Sequence, residues 1–267
     1  MNALTLASDP KEAAAVEAVE THHARLAGEL AGRVAMLITA ADRDPATAGR
    51  IRDGLVDFCD REILPHATAE EETLYRAAHG TVDARLLVES LIAEHHCLIG
   101  LVDALRTTTG PTAAATEARA LQVLFEEHVA KENGLVLPLL AVTPGVSLAA
   151  LLGDMREALA ASGPARTERD APDDEEDAEA CCGGCACGAG DEEPEPELDV
   201  REVPHAIRHA TVFGALDAVP SGSALVLVAP HDPVPLLAQI EQRHPGRFEV
   251  TYLERGPRDW RLRLSHR

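Results

Sequence analysis

Two histidines of this chain are each followed, four residues later, by a glutamate: His66 with Glu70 in HATAE, and His128 with Glu132 in HVAKE. Four residues correspond to about one turn of an α-helix, so both side chains of a pair project from the same helix face. Imidazole nitrogens and carboxylate oxygens are both metal ligands. A site that combines them suits iron better than a site made of soft thiolates does. The two pairs therefore indicate chemistry at a metal ion.

Two other helical segments carry histidine at a matching depth. The predicted helix midpoints fall near residues 25, 62, 95 and 127, and His23, His66, His95 and His128 all lie close to them. Burying so many polar groups without partners would cost several kcal/mol, whereas metal ions satisfy them together. Two glutamates could bridge two ions, so the pattern favours a non-heme di-iron centre. Manganese and zinc stay open as alternatives, since ligand type alone does not separate them.

Two of the candidate histidines belong to doublets. His23 continues the apolar face of its helix, but His22 is one residue away and stays open as a second candidate ligand. In His95-His96 the apolar spacing selects His95, so His96 is predicted to be solvated. Tyr75 lies about two turns beyond the histidine of HATAE and could approach the site, although a position in the core or at its rim is the simpler prediction.

Four amphipathic helices are expected to position these residues. Apolar residues recur at three-to-four spacing between Gly and Pro stop signals, which predicts helices over residues 10–41, 46–78, 82–107 and 112–141. Asp44-Pro45 is a start signal for the second helix, and Pro65 predicts a kink just before His66. Short connections force neighbouring helices to run antiparallel, so the predicted fold is an all-α up-down-up-down four-helix bundle. A further short helix over 147–160 is expected to pack across its end.

The charge distribution excludes several classes of partner. The formal net charge is −21, of which −11 lies in residues 164–197, and only Lys11 and Lys131 are lysines. Nucleic acid and anionic membrane are therefore not expected to bind. The N-terminus lacks a basic region followed by an apolar stretch, and no run of 18 apolar residues occurs, so the protein is predicted to be cytoplasmic.

The chain divides into three predicted regions. Residues 1–162 contain the bundle, and residues 163–197 are rich in Pro, Gly, Asp and Glu, which predicts a disordered acidic linker. The linker holds Cys181, Cys182, Cys185 and Cys187, whose lone Cys-x-x-Cys pair is too little for a zinc ribbon; metal capture, redox sensing and an incidental role stay open. Residues 198–267 show the order β-α-β-α-β-β, which predicts a two-layer α+β domain.

The spacing of the ligand candidates separates two classes of di-iron bundle. Ferritin-like sites use Glu-x-x-His pairs on two helices, and within the predicted bundle only Glu20 and His23 have that spacing. Four segments instead resemble the hemerythrin-like HHE cation-binding family over about residues 10–160: THHARL at 21–26, LPHATAEEETLY at 64–75, AEHHCL at 93–98 and EEHVAKEN at 126–133. The resemblance implies a di-iron site. Its terminal ligands would be His23, His66, His95 and His128, and its bridging carboxylates would be Glu70 and Glu132.

The C-terminal region resembles a TusA-like (SirA-like) domain, in the variant of unknown function that accompanies hemerythrin-like domains in bacteria. The likeness lies in LDVREVPHAIRH, PHDPVPLL and ERGPRDWRLRL. His205 and Ala206 stand where TusA sulfur carriers have Cys-Pro, so persulfide transfer by the family route is not supported. Several polar side chains could line a ligand or metal surface or simply cap helices: His205, Arg208, His209, His231 and Asp232.

An open coordination position at a di-iron centre could bind O₂, NO or peroxide. We expect a small diatomic ligand, O₂ or NO, and a role in sensing or in oxidative or nitrosative stress protection. Oxygen-carrying hemerythrins have histidine and aspartate where this chain has Ile99 and Glu132, so the pattern supports iron binding more directly than oxygen carriage. The alternatives are a di-iron enzyme that acts on NO or peroxide or assists iron-sulfur cluster repair, and iron buffering with the C-terminal domain as a docking module for a protein partner.

Overall fold

The computed structural model describes residues 10–81, 84–162 and 195–267. The helical region contains eight α-helices and three π-helical segments, here π1 to π3, in the order α1 (Pro10–Ala41), α2 (Pro45–Phe58), π1 (Cys59–Ile63), α3 (Leu64–Glu70), π2 (Glu71–Tyr75), α4 (Arg76–His79), α5 (Arg85–Thr107), α6 (Pro111–Lys131), π3 (Glu132–Val136), α7 (Leu137–Val142) and α8 (Leu148–Ser162). The C-terminal region contains β1 (Glu197–Asp199), α9 (Arg208–Ala218), β2 (Ala224–Ala229), α10 (Val234–Arg243), β3 (Phe248–Arg255) and β4 (Trp260–His266).

Four helical rods form the bundle. The first is α1, the second runs without a break from α2 to α4, the third is α5, and the fourth runs from α6 to α7. The first rod contacts the second and the fourth, and so does the third, so the rods close into a ring. Short connections make neighbouring rods antiparallel, which confirms the predicted fold class.

Side-chain caps fix two of the helix starts. Asp44 accepts a hydrogen bond from the Ala46 N–H at 2.9 Å, and Pro45 occupies the first turn of α2, as predicted. Glu12 near the start of α1 accepts the Leu148 N–H at 2.7 Å, which ties the short helix α8 to the first rod. The pair Asp9-Pro10 likewise predicts a cap for the first helix, but Asp9 lies outside the described residues.

All three π-helical segments border the candidate ligands. π1 ends at Ile63, just before the Leu64-Pro65-His66 step, π2 begins directly after Glu70, and π3 begins at Glu132 itself. A π turn inserts one residue into the i→i+4 ladder and changes the direction of the side chains around it, often at functional sites. The irregularity predicted from Pro65 therefore takes the form of a π turn immediately upstream of that proline.

A polar layer divides the bundle interior into two apolar clusters. One cluster includes Val19, Leu74, Leu91, Val136 and Leu140. The other includes Leu26, Ile63, Leu98 and Phe125 and continues into the C-terminal domain through Val212, Leu227 and Leu264. The four candidate histidines lie in the chain between residues of these two clusters, so each rod contributes one histidine to the layer.

The C-terminal domain is a four-stranded mixed sheet in the order β1-β2-β4-β3. β1 pairs parallel to β2, and β4 pairs antiparallel to both β2 and β3. The connectivity β-α-β-α-β-β agrees with the prediction. β1 is shorter than the apolar pattern of LDVREV indicates, because the Asp199 carboxylate accepts the Arg201 N–H at 2.9 Å and turns the chain.

The two domains pack through a close crossing of α1 and α9. A Cβ atom at Gly32 would lie 2.1 Å from the Thr211 carbonyl oxygen, and one at Gly214 would lie 2.2 Å from the Glu29 carbonyl oxygen. Glycine is therefore required on both helices for their backbones to approach this far. Glu29 is buried beside the crossing and accepts from Arg243 of the C-terminal domain at 3.0 Å.

Two predictions for the C-terminal half, the cap at Asp232 and the linker, have different outcomes. Asp232 does not cap α10; its carboxylate accepts from the Tyr252 hydroxyl at 2.9 Å, and the residue at the cap position is Pro233. Residues 163–194, which include most of the predicted linker and its cysteine cluster, lie outside the described residues. The disordered linker and the domain boundaries drawn around it stay predictions.

Candidate metal centre

The polar layer is built from six of the predicted site residues. All six are almost fully buried, with exposed fractions of 1–2%: His23, His66, Glu70, His95, His128 and Glu132. The His-x-x-x-Glu spacing places each glutamate on the same helix face as its histidine, and α1 and α5 supply the other two imidazoles. The structure thus brings the predicted side chains together at one level of the bundle.

These side chains form two groups whose members each offer an atom within 4.8 Å of the others. The first group is His23, His66 and Glu70, here called the His23/His66 half. The second is Glu70, His95, His128 and Glu132, here called the His95/His128 half. Each group could hold one metal ion, and Glu70 belongs to both.

Both glutamates span the two halves. Glu70 Oε1 lies 3.0 Å from His66 Nε2 and 3.1 Å from His23 Nε2, while its Oε2 lies 3.7 Å from His95 Nε2. Glu132 Oε1 lies 3.6 Å from His128 Nε2, and its Oε2 lies 3.8 Å from His23 Nε2. Each carboxylate therefore presents one oxygen to either half, which is the arrangement that bridging ligands of two ions require.

The surroundings move the pKa values of the two carboxyl groups in opposite directions. Burial opposes ionisation of Glu70, but the facing imidazoles of His66 and His23 outweigh it and hold its pKa well below the usual range. Burial and the nearby charge of Glu70 raise the pKa of Glu132 well above the usual range. Two buried carboxylates this close repel each other, and cations between them would remove that repulsion.

Three of the four histidines are oriented by a polar partner at Nδ1. His95 Nδ1 lies 2.7 Å from Glu71 Oε1, and His128 Nδ1 lies 3.0 Å from Glu94 Oε2, which also pairs with Lys131. An Nδ1–H that donates to a carboxylate leaves Nε2 as the unprotonated nitrogen, which is the form that binds metal. His23 Nδ1 lies 2.7 Å from Asn133 Oδ1 and is oriented in the same way.

The atoms facing the centre have unmet bonding needs that cations would satisfy. His95 Nε2 and His128 Nε2 lie 2.9 Å apart, and with both Nδ1 atoms facing carboxylates, both Nε2 atoms carry lone pairs. Among the described residues, His66 Nδ1 and Oε2 of Glu132 are buried without a hydrogen-bond partner, and His66 Nε2 has only its 3.0 Å contact with Glu70 Oε1. Buried polar atoms are normally paired, so this donor set fits metal ions.

Tyr75 belongs to the buried apolar core, as the simpler prediction has it, and its hydroxyl also reaches the site. Its hydroxyl donates to Glu132 Oε1 at 2.5 Å and lies 3.2 Å from His128 Nε2, and its ring stacks on His95 with centroids 5.3 Å apart. Burial and the charge of Glu132 raise the pKa of this phenol, so the hydroxyl keeps its proton. The turn of π2 places Tyr75 here, and helical periodicity alone does not show it.

His22 and His23 have different places. His23 belongs to the His23/His66 half, whereas His22 belongs to neither ligand group and is half-buried against His66, with ring centroids 4.8 Å apart. Burial, and then the adjacent His66, lower the pKa of His22 to about 3. A cavity of about 250 Å³ adjoins both rings and is otherwise lined by side chains such as Val19, Leu152 and Met155. His96 is exposed, as predicted.

The sequence gives little sign of the outer partners. Glu94, Asn133 and Glu71 occur in helical segments rich in charged residues, where a surface position is the simplest interpretation. Their position next to the layer residues is the usable signal: Glu71 and Asn133 each directly follow a glutamate of the layer, and Glu94 directly precedes His95. A residue next to a buried ligand can reach the ligand of a neighbouring rod.

Comparison with known families agrees with this geometry. The helical bundle and its buried His/Glu layer place this region of the chain in the class of hemerythrin-like cation-binding proteins. Residues 14–140 match the family model described as the hemerythrin HHE cation binding domain, so this part of the chain is such a domain. Residues 197–266 match DUF2249, described as an uncharacterized conserved protein, which supports the TusA-like assignment only loosely.

Neither curated proteins nor solved structures gave a significant match to this chain. Within the described ranges, no helix combines the length and apolar character needed to cross a membrane.

Proposed function

We propose that this protein holds two iron ions among the six buried side chains and binds a small diatomic ligand, O₂ or NO, in sensing or in protection against oxidative or nitrosative stress. The proposal rests on one observation: two ligand groups that could each hold an ion share Glu70. Mixed imidazole and carboxylate coordination suits iron, and the match to a cation binding domain supports a metal at this place. Manganese or zinc would be distinguished by metal analysis.

The His23/His66 half is the better candidate for ligand binding. Its close group is His23, His66 and Glu70, with Glu132 Oε2 3.8 Å from His23 Nε2, whereas the other half has four side chains in its group and also the Tyr75 hydroxyl. Metal sites with fewer protein ligands keep positions for an exogenous molecule. The 250 Å³ cavity reaches His66 here and is mainly apolar, which suits a small uncharged gas better than a hydrated ion.

Turnover of peroxide or NO is a second candidate, and Tyr75 favours it. Reduction of either molecule needs protons, and the buried pair of Tyr75 and Glu132 holds exchangeable protons next to the ligand groups. Iron would pass on electrons that an external reductant supplies in each cycle. A carrier or sensor needs no such donor, so the two candidates predict different fates for the bound gas.

The deciding experiment uses the iron-loaded full chain after anaerobic reduction, with visible absorption recorded as NO or O₂ is added. We expect a new spectrum that persists, with one gas molecule bound per chain. Rapid loss of that spectrum together with product formation would instead support turnover. Protein that holds no iron would contradict the whole proposal, and bound iron without any response to either gas would favour iron buffering.

A further inference from the structure

A cleft between the two domains gathers arginine side chains away from the metal layer. Its volume is about 770 Å³, and it is lined by Arg33, Arg50 and Arg61 of the bundle and by Arg247 and His266 of the C-terminal domain. Asp217 is the one carboxylate-bearing residue among the described residues that line it. The chain has 45 acidic and 24 basic residues, so this cleft reverses the overall charge balance.

The single acid of the cleft is already paired. Asp217 lies 2.8 Å from Arg33 Nη2, 3.5 Å from Arg243 Nη2 and 3.2 Å from His244 Nε2. Arg33 also lies over the Phe58 ring, 4.4 Å from its centroid. Arg33 and Asp217 therefore neutralise each other and form part of the wall, and the net charge of the cleft comes from the other three arginines.

Arg50 and Arg61 have no carboxylate within salt-bridge distance in the described structure, although the charge of Arg50 acts on the exposed Asp44 carboxylate. Arg50 donates to the Thr47 hydroxyl at 2.7 Å, and Arg61 donates to the Asp57 backbone carbonyl at 3.2 Å. Neutral partners such as these leave the remaining N–H groups of each guanidinium available. A guanidinium has five N–H donors arranged in a planar fork, so most of its bonding capacity is unused here.

Arg247 faces the same cleft from the other domain and is held in place. His266 Nδ1 lies 2.7 Å from the Val219 carbonyl oxygen, so this nitrogen carries the proton, and Nε2 accepts from Arg247 Nε at 2.8 Å. The bond uses the Nε–H and fixes the plane of the guanidinium, whereas its Nη2 has no hydrogen-bond partner in the described parts of the chain. An oriented fork loses less entropy when a ligand binds.

We propose that this cleft binds a small organic phosphate. Guanidinium forks match phosphate oxygens with paired N–H bonds. Three guanidiniums that have no carboxylate within salt-bridge distance among the described residues meet at one cavity, whose volume is typical of small-molecule sites. Ile51, Leu55 and Val219 supply an apolar wall for the organic part. The cleft shares no residue with the metal layer, so this site is independent of the proposed function.

Binding would also hold the two domains together. Arg50 and Arg61 belong to the bundle, whereas Arg247 and His266 belong to the C-terminal domain, so the complete site exists only while the domains are docked. A ligand that binds one arrangement stabilises that arrangement by mass action. We therefore expect the melting temperature of the full chain to rise with ligand concentration.

The experiment is isothermal titration calorimetry of the full, metal-loaded chain with phenyl phosphate at constant ionic strength. We expect one site per chain, and at least about tenfold weaker binding in the double variant Arg50→Gln/Arg61→Gln, because each charged hydrogen bond contributes about 1.4 kcal/mol or more. Both arginines are exposed, so the variant should fold. Its metal content, measured in parallel, should not change.

The matched control is Arg85→Gln/Arg258→Gln, which removes the same charge from exposed positions outside the cleft and should leave the affinity within about twofold. Phenol serves as the probe without a phosphate and should not bind. Equal weakening in both double variants, equal binding of phenol, or no binding of phenyl phosphate at millimolar concentration would each overturn the proposal. Arg247→Gln supplies a further test from the second domain and should weaken binding as well.

Discussion

The two halves of the metal layer differ in how firmly their histidines are held. In the His95/His128 half, each Nδ1 faces a carboxylate and Tyr75 adds a hydroxyl. In the His23/His66 half, His23 Nδ1 faces only a neutral amide, and His66 Nδ1 has no hydrogen-bond partner among the described residues. Carboxylate partners raise the basicity of an imidazole and fix its orientation. One half is thus preorganised for a metal, and the other leaves room for a ligand.

Loss of the Glu70 carboxylate, which both halves share, should abolish the difference between the two halves. We expect Glu70→Gln to lower bound iron from about two ions per chain to nearly none, because both ligand groups lose a charged member at once. Metal analysis by inductively coupled plasma mass spectrometry provides the measurement. Glu72→Gln changes an exposed acid two residues away and should retain both ions. Full iron content in the Glu70 variant would show that Glu70 is not a shared ligand.

Removal of one histidine should separate the halves. We expect His66→Ala to keep about one ion per chain, since the His95/His128 half retains its four protein ligands, and to lose the response to NO. Metal analysis and visible absorption of the reduced protein test the two effects. His22→Ala is the matched control and should keep both ions, because His22 belongs to neither ligand group. Loss of one ion from the His22 variant would reverse the assignment within the doublet.

Removal of an outer carboxylate should have the smallest effect. We expect Glu94→Gln to weaken metal affinity about 10- to 100-fold without changing the number of sites, because His128 loses the partner that orients it. Competition with a chelator of known affinity measures the change. Glu127→Gln removes an exposed charge next to His128 and serves as the control. An equal loss in both variants would indicate general electrostatics instead of orientation.

Much of the bundle could be predicted from the sequence, because several independent sequence signals indicate the same helices and the same buried layer. The bounds of α1, the start of α2 at Asp44-Pro45 and the six layer residues follow from periodicity, cap chemistry and one-turn spacing. Tyr75 and Glu94 do not, because π turns and contacts between rods decide where those side chains lie. The arginine cleft is also invisible in the sequence, since its members come from distant segments joined only by the docking of the two domains.

The glycine crossing gives α1 a second role. The same helix carries His23 on one face and, starting five residues later, Gly28 and Gly32 against α9. Because the contact there is between backbones, no side chain can change its rotamer to compensate for a shift of either helix. Packed protein interiors also compress little. A displacement of α9 would therefore move α1 with it, and α1 carries one histidine of the metal layer.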